Sequence, residues 1–532
     1  MKTHKSQLFT AFWCAALALL FLVPAAARAQ AAPKHSAARI ATPEQRTARA
    51  LEAARANPLE LRAFLLRMPK GGDLHNHLAG AVYAEGWIRA GAEDNLCVDV
   101  ATLTLFKTQA MTRSIPPQPV CGEGKTAAAQ AFKDQNLYDS LVDAFSMRSF
   151  VPSAGVSAHD HFFDAFGKFL AVDQRHTGEW LDELAARAAR QNEQYLELMD
   201  TPEFSHTASI AKELGWRDDL AQLRTDLLAH GLRDDVAVAL VHFDQAEALR
   251  RGREHCGQPN ETPACRVQIR FIYQVLRGFP KEQVFAQTLL GFEAASVDPR
   301  IVGVNMVMPE DGYISMSDFA LQMHMLDFLH GLYPKIHITM HAGELAPGLV
   351  TYEGLCCHIR LAVEQGHAER IGHGVELMYE DRPYELLKEM AARHVMVEIN
   401  LTSNDVILGI NGKDHPLPIY RKYGVPVALS TDDEGVSRID ITHEYVRAVE
   451  TYGFSYADLK QMVRTSLEHS FLPGASLWRE QDVFTRTAAA CSGNSPGVEK
   501  LPSSCANFLQ STEKAKQQWE LERRFAEFEA SF

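Results

Sequence analysis

Several features are missing from this 532-residue sequence, and each absence closes off a class of function. There is no Lys/Arg-rich run, and the chain carries a formal net charge of -14 with its acids dispersed, so a nucleic-acid polyanion finds no cationic track to bind. No CxxC pair occurs, which argues against a cysteine zinc site. Beyond the first thirty residues no apolar stretch is long enough to span a bilayer. Neither an internal repeat nor a low-complexity block is present.

What is there begins with an export signal. Lys2, His4 and Lys5 make a basic start, residues 8–23 form an apolar core, and Ala27-Arg28-Ala29 supplies the small-x-small pattern of a cleavage site. A signal peptide over 1–29 predicts an exported protein, periplasmic or extracellular, with no membrane contact after cleavage. Cys14 lies in the apolar core without a lipobox. Eight cysteines then remain, an even number that favours disulfides in an oxidising compartment. Their spacing suggests Cys97–Cys121, Cys256–Cys265 and Cys491–Cys505, while Cys356 and Cys357, in a helix-like run, are expected to be buried thiols.

Short apolar runs recur at 73–77, 194–199, 268–274, 301–306, 335–341, 370–373, 395–400 and 425–430, separated by helix-like segments. Apolar runs alternating with amphipathic stretches indicate βα units and a parallel sheet. Eight of them predict a (β/α)8 TIM barrel with a large insertion after the first strand and extra terminal helices. The expected organisation is a leader and helix over 30–66, a barrel over 67–475 with its insertion at about 85–190, and a helical extension over 476–532. The run at 236–243 competes as a strand and is assigned to an inserted helical segment.

Polar groups gather at the ends of these runs, where barrel enzymes carry their active sites. Asp73-Leu74-His75-Asn76-His77 places two imidazoles two residues apart, on the same side of a strand. His341-Ala342-Gly343-Glu344 offers a third imidazole and a carboxyl suited to proton exchange. Arg370-Ile371-Gly372-His373-Gly374 brings a histidine between two glycines. Ser430-Thr431-Asp432-Asp433-Glu434 ends an apolar strand in paired carboxylates, costly unless a cation or a reactant uses them. With 22 histidines in the chain, any one cluster is weak evidence; four on successive strands are not a coincidence of composition. Leu401-Thr402-Ser403-Asn404 reads as support around them.

Together with the Met68-Pro69-Lys70 lead-in, these motifs make the chain resemble the adenosine deaminase family, over about 61–471. The export signal and the cysteine-bounded insertion are most similar to its secreted branch, the adenosine deaminase growth factors. The resemblance implies zinc-dependent hydrolytic deamination of adenosine or 2'-deoxyadenosine to inosine and ammonia, by zinc-hydroxide attack. His75, His77, His341 and Asp432 would bind one zinc ion. Glu344 would protonate the purine ring, and His373 and Asp433 would position and deprotonate the water. Met308, Glu310, Gly343 and Asp433 would contact the nucleoside. A homodimer is implied by the secreted branch alone, since the helical stretch at 43–66 is short.

Two positions depart from the family pattern. Ala79 stands where intracellular members carry an acidic residue for the ribose. Met308, in Asn305-Met306-Val307-Met308-Pro309-Glu310, replaces a glycine whose N–H meets the purine. Deamination of another aminopurine is therefore one alternative, and hydrolysis of an amide by a related amidohydrolase is a second. Against a two-metal site of that kind, Lys335 begins its strand rather than ending it. A non-catalytic secreted binding protein is a third, and the retention of Glu344, His373 and Asp433 together argues against it.

Overall fold

A computed structural model describes residues 41–113 and 118–532. The expected signal peptide lies outside them. Eight parallel strands follow one another in the sheet in chain order: β1 (Gly71–His77), β2 (Glu193–Asp200), β3 (Gln268–Leu276), β4 (Ile301–Val307), β5 (His337–Ala342), β6 (Arg370–His373), β7 (Met396–Ile399) and β8 (Val427–Leu429). The circle closes where Asn76 of β1 bridges Asp432, just past β8, with the Asp432 N–H donating to the His75 carbonyl at 2.8 Å. This is a (β/α)8 barrel, and each of the eight apolar runs overlaps one of its strands. They read as continuous apolar runs because β4, β7 and β8 are buried along their whole length.

The run at 236–243 is helical, inside Leu232–Arg253, as its placement in an inserted segment required. Between β1 and β2 stands a layer of helices with a three-stranded sheet built from Cys97–Asp99, Thr104–Phe106 and Lys125–Ala127. Trp87 stacks on Phe169 at 4.4 Å and leans on Trp180, all buried. Truncating such an aromatic costs about 3–5 kcal/mol, which makes this cluster the anchor of the insertion. Cys97–Cys121 ties the small sheet to its own loop.

The N-terminal stretch forms two helices, Pro43–Ala54 and Pro58–Arg67, rather than one. Asn57 caps the second, its side chain accepting from the Leu59 N–H, with Pro58 at the first helical position. Leu51, Leu61, Phe64 and Leu65 are buried, and Phe64 meets Phe528 edge-on at 5.2 Å. After β8 the chain adds more than helices: Trp478–Glu480 and Val483–Thr487 form a hairpin before Ser503–Ser511 and Glu513–Ala530. Cys256–Cys265 and Cys491–Cys505 are bonded as their spacing suggested. Cys356 and Cys357, expected as buried thiols, are instead bonded to each other and partly exposed, because the segment is a loop ahead of helix His358–Glu364. Among the described residues no helix is long and apolar enough to cross a membrane.

Candidate active site

At the C-terminal ends of the strands, His75 and His77 from β1, His341 from β5 and Asp432 after β8 bring one ligand atom each within 4.8 Å of one another. His77 Nε2 lies 3.0 Å from His341 Nε2 and 3.2 Å from Asp432 Oδ1, and His75 Nε2 lies 3.5 Å from the same oxygen. The opposite nitrogens decide the rings' orientation. Nδ1 of His75 donates to Glu398 Oε2 at 2.6 Å, Nδ1 of His77 to Gln274 Oε1 at 2.7 Å, and Nδ1 of His341 to Asn305 Oδ1 at 3.0 Å. With those protons placed, every Nε2 turns a lone pair to the common centre, the bracing that metal-bound histidines require. His75 Nε2 is buried and has no hydrogen-bond partner. Three imidazoles and one carboxylate around a shared point, with a buried orphan nitrogen among them, fit a zinc ion.

The bracing residues were not singled out in the sequence. Glu398 stands in an apolar strand, Met-Val-Glu-Ile, where a buried acid signals a partner. That partner is double: Arg370 Nε lies 2.7 Å from Glu398 Oε1, and Arg370 also pairs with Glu197 at 2.7 Å. Burial pushes the Glu398 carboxyl up, but Arg370 and His75 outweigh it and hold it below the usual range.

Beside this cluster stand Glu344, His373 and Asp433, all buried. Burial, reinforced by the charges of Asp432 and Glu310, raises the Glu344 carboxyl well above its ordinary range. His373 is pushed down to about 3, chiefly by burial, and is neutral. Its tautomer follows from a chain of hydrogen bonds. The Leu417 N–H donates to His415 Nδ1 at 3.1 Å, so His415 carries its proton on Nε2 and donates to Asn404 Oδ1 at 3.0 Å. The Asn404 amide then donates from Nδ2 to His373 Nδ1 at 2.9 Å. The His373 proton is left on Nε2, which faces Asp432 Oδ2 at 3.9 Å. Asp433 is pushed up to about 7, mainly by burial, and its Oδ1 has no hydrogen-bond partner.

Two of these side chains are held by unusual backbone: His373 has φ 69° and Asp432 φ 61°, in the left-handed region that costs a non-glycine residue about 1 kcal/mol or more. Each strand turns sharply there, and the turn aims its side chain across the mouth.

The residues expected to contact substrate divide. Glu310 is buried beneath the site: Oε1 accepts from the Gly343 N–H at 3.0 Å and from His358 Nδ1 at 2.5 Å, and Oε2 from the Glu344 N–H at 2.7 Å. It therefore holds the turn that presents Glu344, and the Gly343 N–H is spent on it. Met308 is partly exposed with φ 95°, its sulfur 3.3 Å from the Gly278 N–H. Ala79 follows β1 in the short helix Leu78–Ala81. From the insertion, His159 on helix Ala158–Phe169 reaches Asp311 at 3.1 Å, next to Glu310 in sequence.

The adenosine deaminase family model matches residues 160–478. The chain belongs to the adenosine deaminase family. The match takes in His341, Glu344, His373, Asp432 and Asp433, while His75 and His77 precede it and join them through closure of the barrel. Among relatives, an adenosine deaminase of Shewanella loihica is 36% identical over 136 residues, covering 25% of this chain and 38% of that enzyme. One of Escherichia coli is 36% identical over 137 residues, covering 26% and 38%. The chain thus spans less than half the length of these curated relatives. An amidohydrolase from Burkholderia ambifaria, solved with bound Zn, shares the fold with a TM-score of 0.50 at 16% identity, covering 78% of this chain and 88% of that one.

Proposed function

We propose that this protein is an exported, single-zinc hydrolase that deaminates adenosine or 2'-deoxyadenosine to inosine and ammonia. The observation that carries the reading is the convergence of three buried groups, Glu344, His373 and Asp433, on the three-histidine, one-aspartate cluster, with burial raising both carboxyls and lowering the imidazole. Titratable groups whose surroundings drive them apart in this way are acid and base for one reaction.

His75, His77, His341 and Asp432 are the residues that would hold zinc, which when bound brings the pKa of a water from about 15.7 to roughly 7. The chain's own groups divide the remaining work. Asp433 Oδ1, unpartnered and close to neutrality, accepts the proton of the attacking water. His373 Nε2–H donates a hydrogen bond to the oxygen as charge builds on it, because its Nδ1 is already taken by Asn404. Glu344 delivers its proton to the ring nitrogen beside the reacting carbon; the proton taken up by Asp433 passes to the amino group, which leaves as ammonia, and the proton of the added hydroxyl returns to Glu344 as the carbonyl forms. Burial of all three keeps bulk water from competing for these protons.

A second reading, another aminopurine, is favoured by Met308 and Ala79 at the recognition positions. Loss of adenosine absorbance with the purified protein, in a panel with deoxyadenosine, adenine and methylated adenosines, separates the two. Chelator-sensitive conversion of adenosine supports the first reading. Turnover of a different member with adenosine untouched supports the second, and silence across the panel in zinc-loaded protein rejects both. The disulfides suit the oxidising compartment that export supplies.

A further inference from the structure

At the opposite end of the barrel, a cavity of about 520 Å³ opens beneath the starts of β5, β6 and β7. Lys335, His337, Arg393, His394, His469 and Lys514 line it, the last two contributed from beyond β8. The volume suits a small molecule.

The acids and bases of this wall are unequally committed. Asp482, at the tip of the hairpin, has both oxygens occupied, by His394 Nδ1 at 2.7 Å and His469 Nε2 at 2.8 Å. Glu369 accepts from His337 Nδ1 at 2.7 Å. Glu468 accepts from Ser476 and from Gln518, each at 2.6 Å. The cations are less engaged. Lys514, partly buried, makes one hydrogen bond, from Nζ to the Glu468 carbonyl at 2.9 Å, and no ion pair among the described residues. Lys335 has neither a hydrogen bond nor an ion pair among them. An ammonium carries three donors, so at least two on Lys514 are open to a ligand. Burial lowers the Lys514 pKa, and the charges of Glu468, Glu197 and Glu369 only partly offset it, a remaining cost that a bound anion reduces.

We propose that this cavity binds a small oxyanion of the phosphate class, held by Lys514 and Lys335. In a chain of net charge -14, ammonium groups with open donors and no ion pair within 4.0 Å among the described residues do not follow, in a concave site, from composition. A metal ion fits less well: among the described residues no three His, Cys or acidic ligand atoms of this cavity lie within 4.8 Å of one another. The ligand is inorganic phosphate or the phosphate of a larger molecule, and the chemistry on the wall is the same for both.

Calorimetric titration of the zinc-loaded full chain with inorganic phosphate, and separately with uridine 5'-monophosphate, tests this. One saturable site per chain is expected, weakened about tenfold by Lys514→Gln, the loss of one charge-assisted contact, and to a smaller degree by Lys335→Gln on the exposed side. Both variants are checked for an unchanged melting temperature, and Lys335→Gln decides if Lys514→Gln unfolds. Tighter binding of the nucleotide identifies the larger source; equal or weaker binding identifies free phosphate. No saturable heat with either probe overturns the proposal. So does binding that survives both lysine variants, or that is abolished by His75→Ala, which would place the anion at the catalytic centre.

Discussion

Gly80 and Asp433 compete for one volume: a Cβ on Gly80 would fall 1.5 Å from Asp433 Oδ1. The glycine is what lets the carboxylate of β8's loop lie against the turn after β1. Gly80→Ala must therefore displace Asp433, the proposed base, without touching any of the four metal-ligand candidates. Turnover should fall on the order of 10²–10⁴-fold, the worth of a positioned proton acceptor, while zinc content measured by atomic absorption stays near one per chain. A variant with wild-type turnover would show that Asp433 is not needed where it stands.

Glu344→Gln separates the acid from the metal in the same spirit. The amide keeps the shape but has no acidic proton to give, so turnover should fall on the order of 10²–10⁴-fold with zinc retained. Its N–H contact with Glu310 is unaffected, since that bond belongs to the backbone. Normal turnover in this variant would remove Glu344 from the reaction.

Much of this was legible in the sequence, and the physical reason is consistent. Barrel strands are buried on both faces, so they stand out as apolar runs, and side chains that break the run at its end advertise chemistry. His75, His77, His341, Glu344, His373, Asp432 and Asp433 all fall at such breaks. Their supports do not. Glu398 is 323 residues from His75, and His415 looks like an ordinary loop polar until the fold stacks it, through Asn404, behind His373; Asn404 itself was read as support from its motif. The structural part of Glu310 was hidden for a related reason: nothing in Met-Pro-Glu says that the carboxylate folds inward onto two backbone N–H groups. The bonded pair Cys356–Cys357 was missed because a helix-like composition concealed a loop.

The Asn404 amide makes a testable statement about one proton. In Asn404→Asp the group facing His373 Nδ1 only accepts, so the ring must place its proton on Nδ1 and turn a lone pair to the reacting oxygen. Turnover should drop about 10²-fold or more, as wrong tautomers do elsewhere, with KM little changed. Nitrogen-15 spectra of the histidines, recorded on metal-free protein, should show the proton on Nε2 of His373 in wild type and on Nδ1 in the variant. Identical spectra would refute the relay even if activity fell.

Glu310 sets an acid limit on the fold. Burial alone would raise its carboxyl, but hydrogen bonding from His358, the Arg277 charge and the Gly343 N–H hold it at about 2 against an ordinary 4.5. A folded-state pKa below the unfolded one stabilises at pH above about 4.5, and the contribution disappears as pH falls from there towards 2. The size is about 3 kcal/mol at neutral pH. In denaturant titrations Glu310→Gln should be less stable than wild type by roughly that amount at neutral pH, with the gap closing below pH 4.5. A gap independent of pH would mean that the carboxylate's charge is not what stabilises the turn.

Met308 tests recognition apart from catalysis. Its φ of 95° belongs to glycine, and a side chain held there costs about 1–3 kcal/mol. The cost persists while the thioether, 37% exposed, covers Gly278. Met308→Gly relieves the strain and frees the backbone N–H to approach a purine, at the loss of an apolar contact of similar size, so stability should change by less than about 1 kcal/mol. Because Glu344, His373 and Asp433 are untouched, kcat should hold while KM for adenosine falls severalfold. A KM unchanged for every purine tried would show that Met308 does not shape the pocket and that specificity is set elsewhere, with the insertion helix carrying His159 the next place to cut.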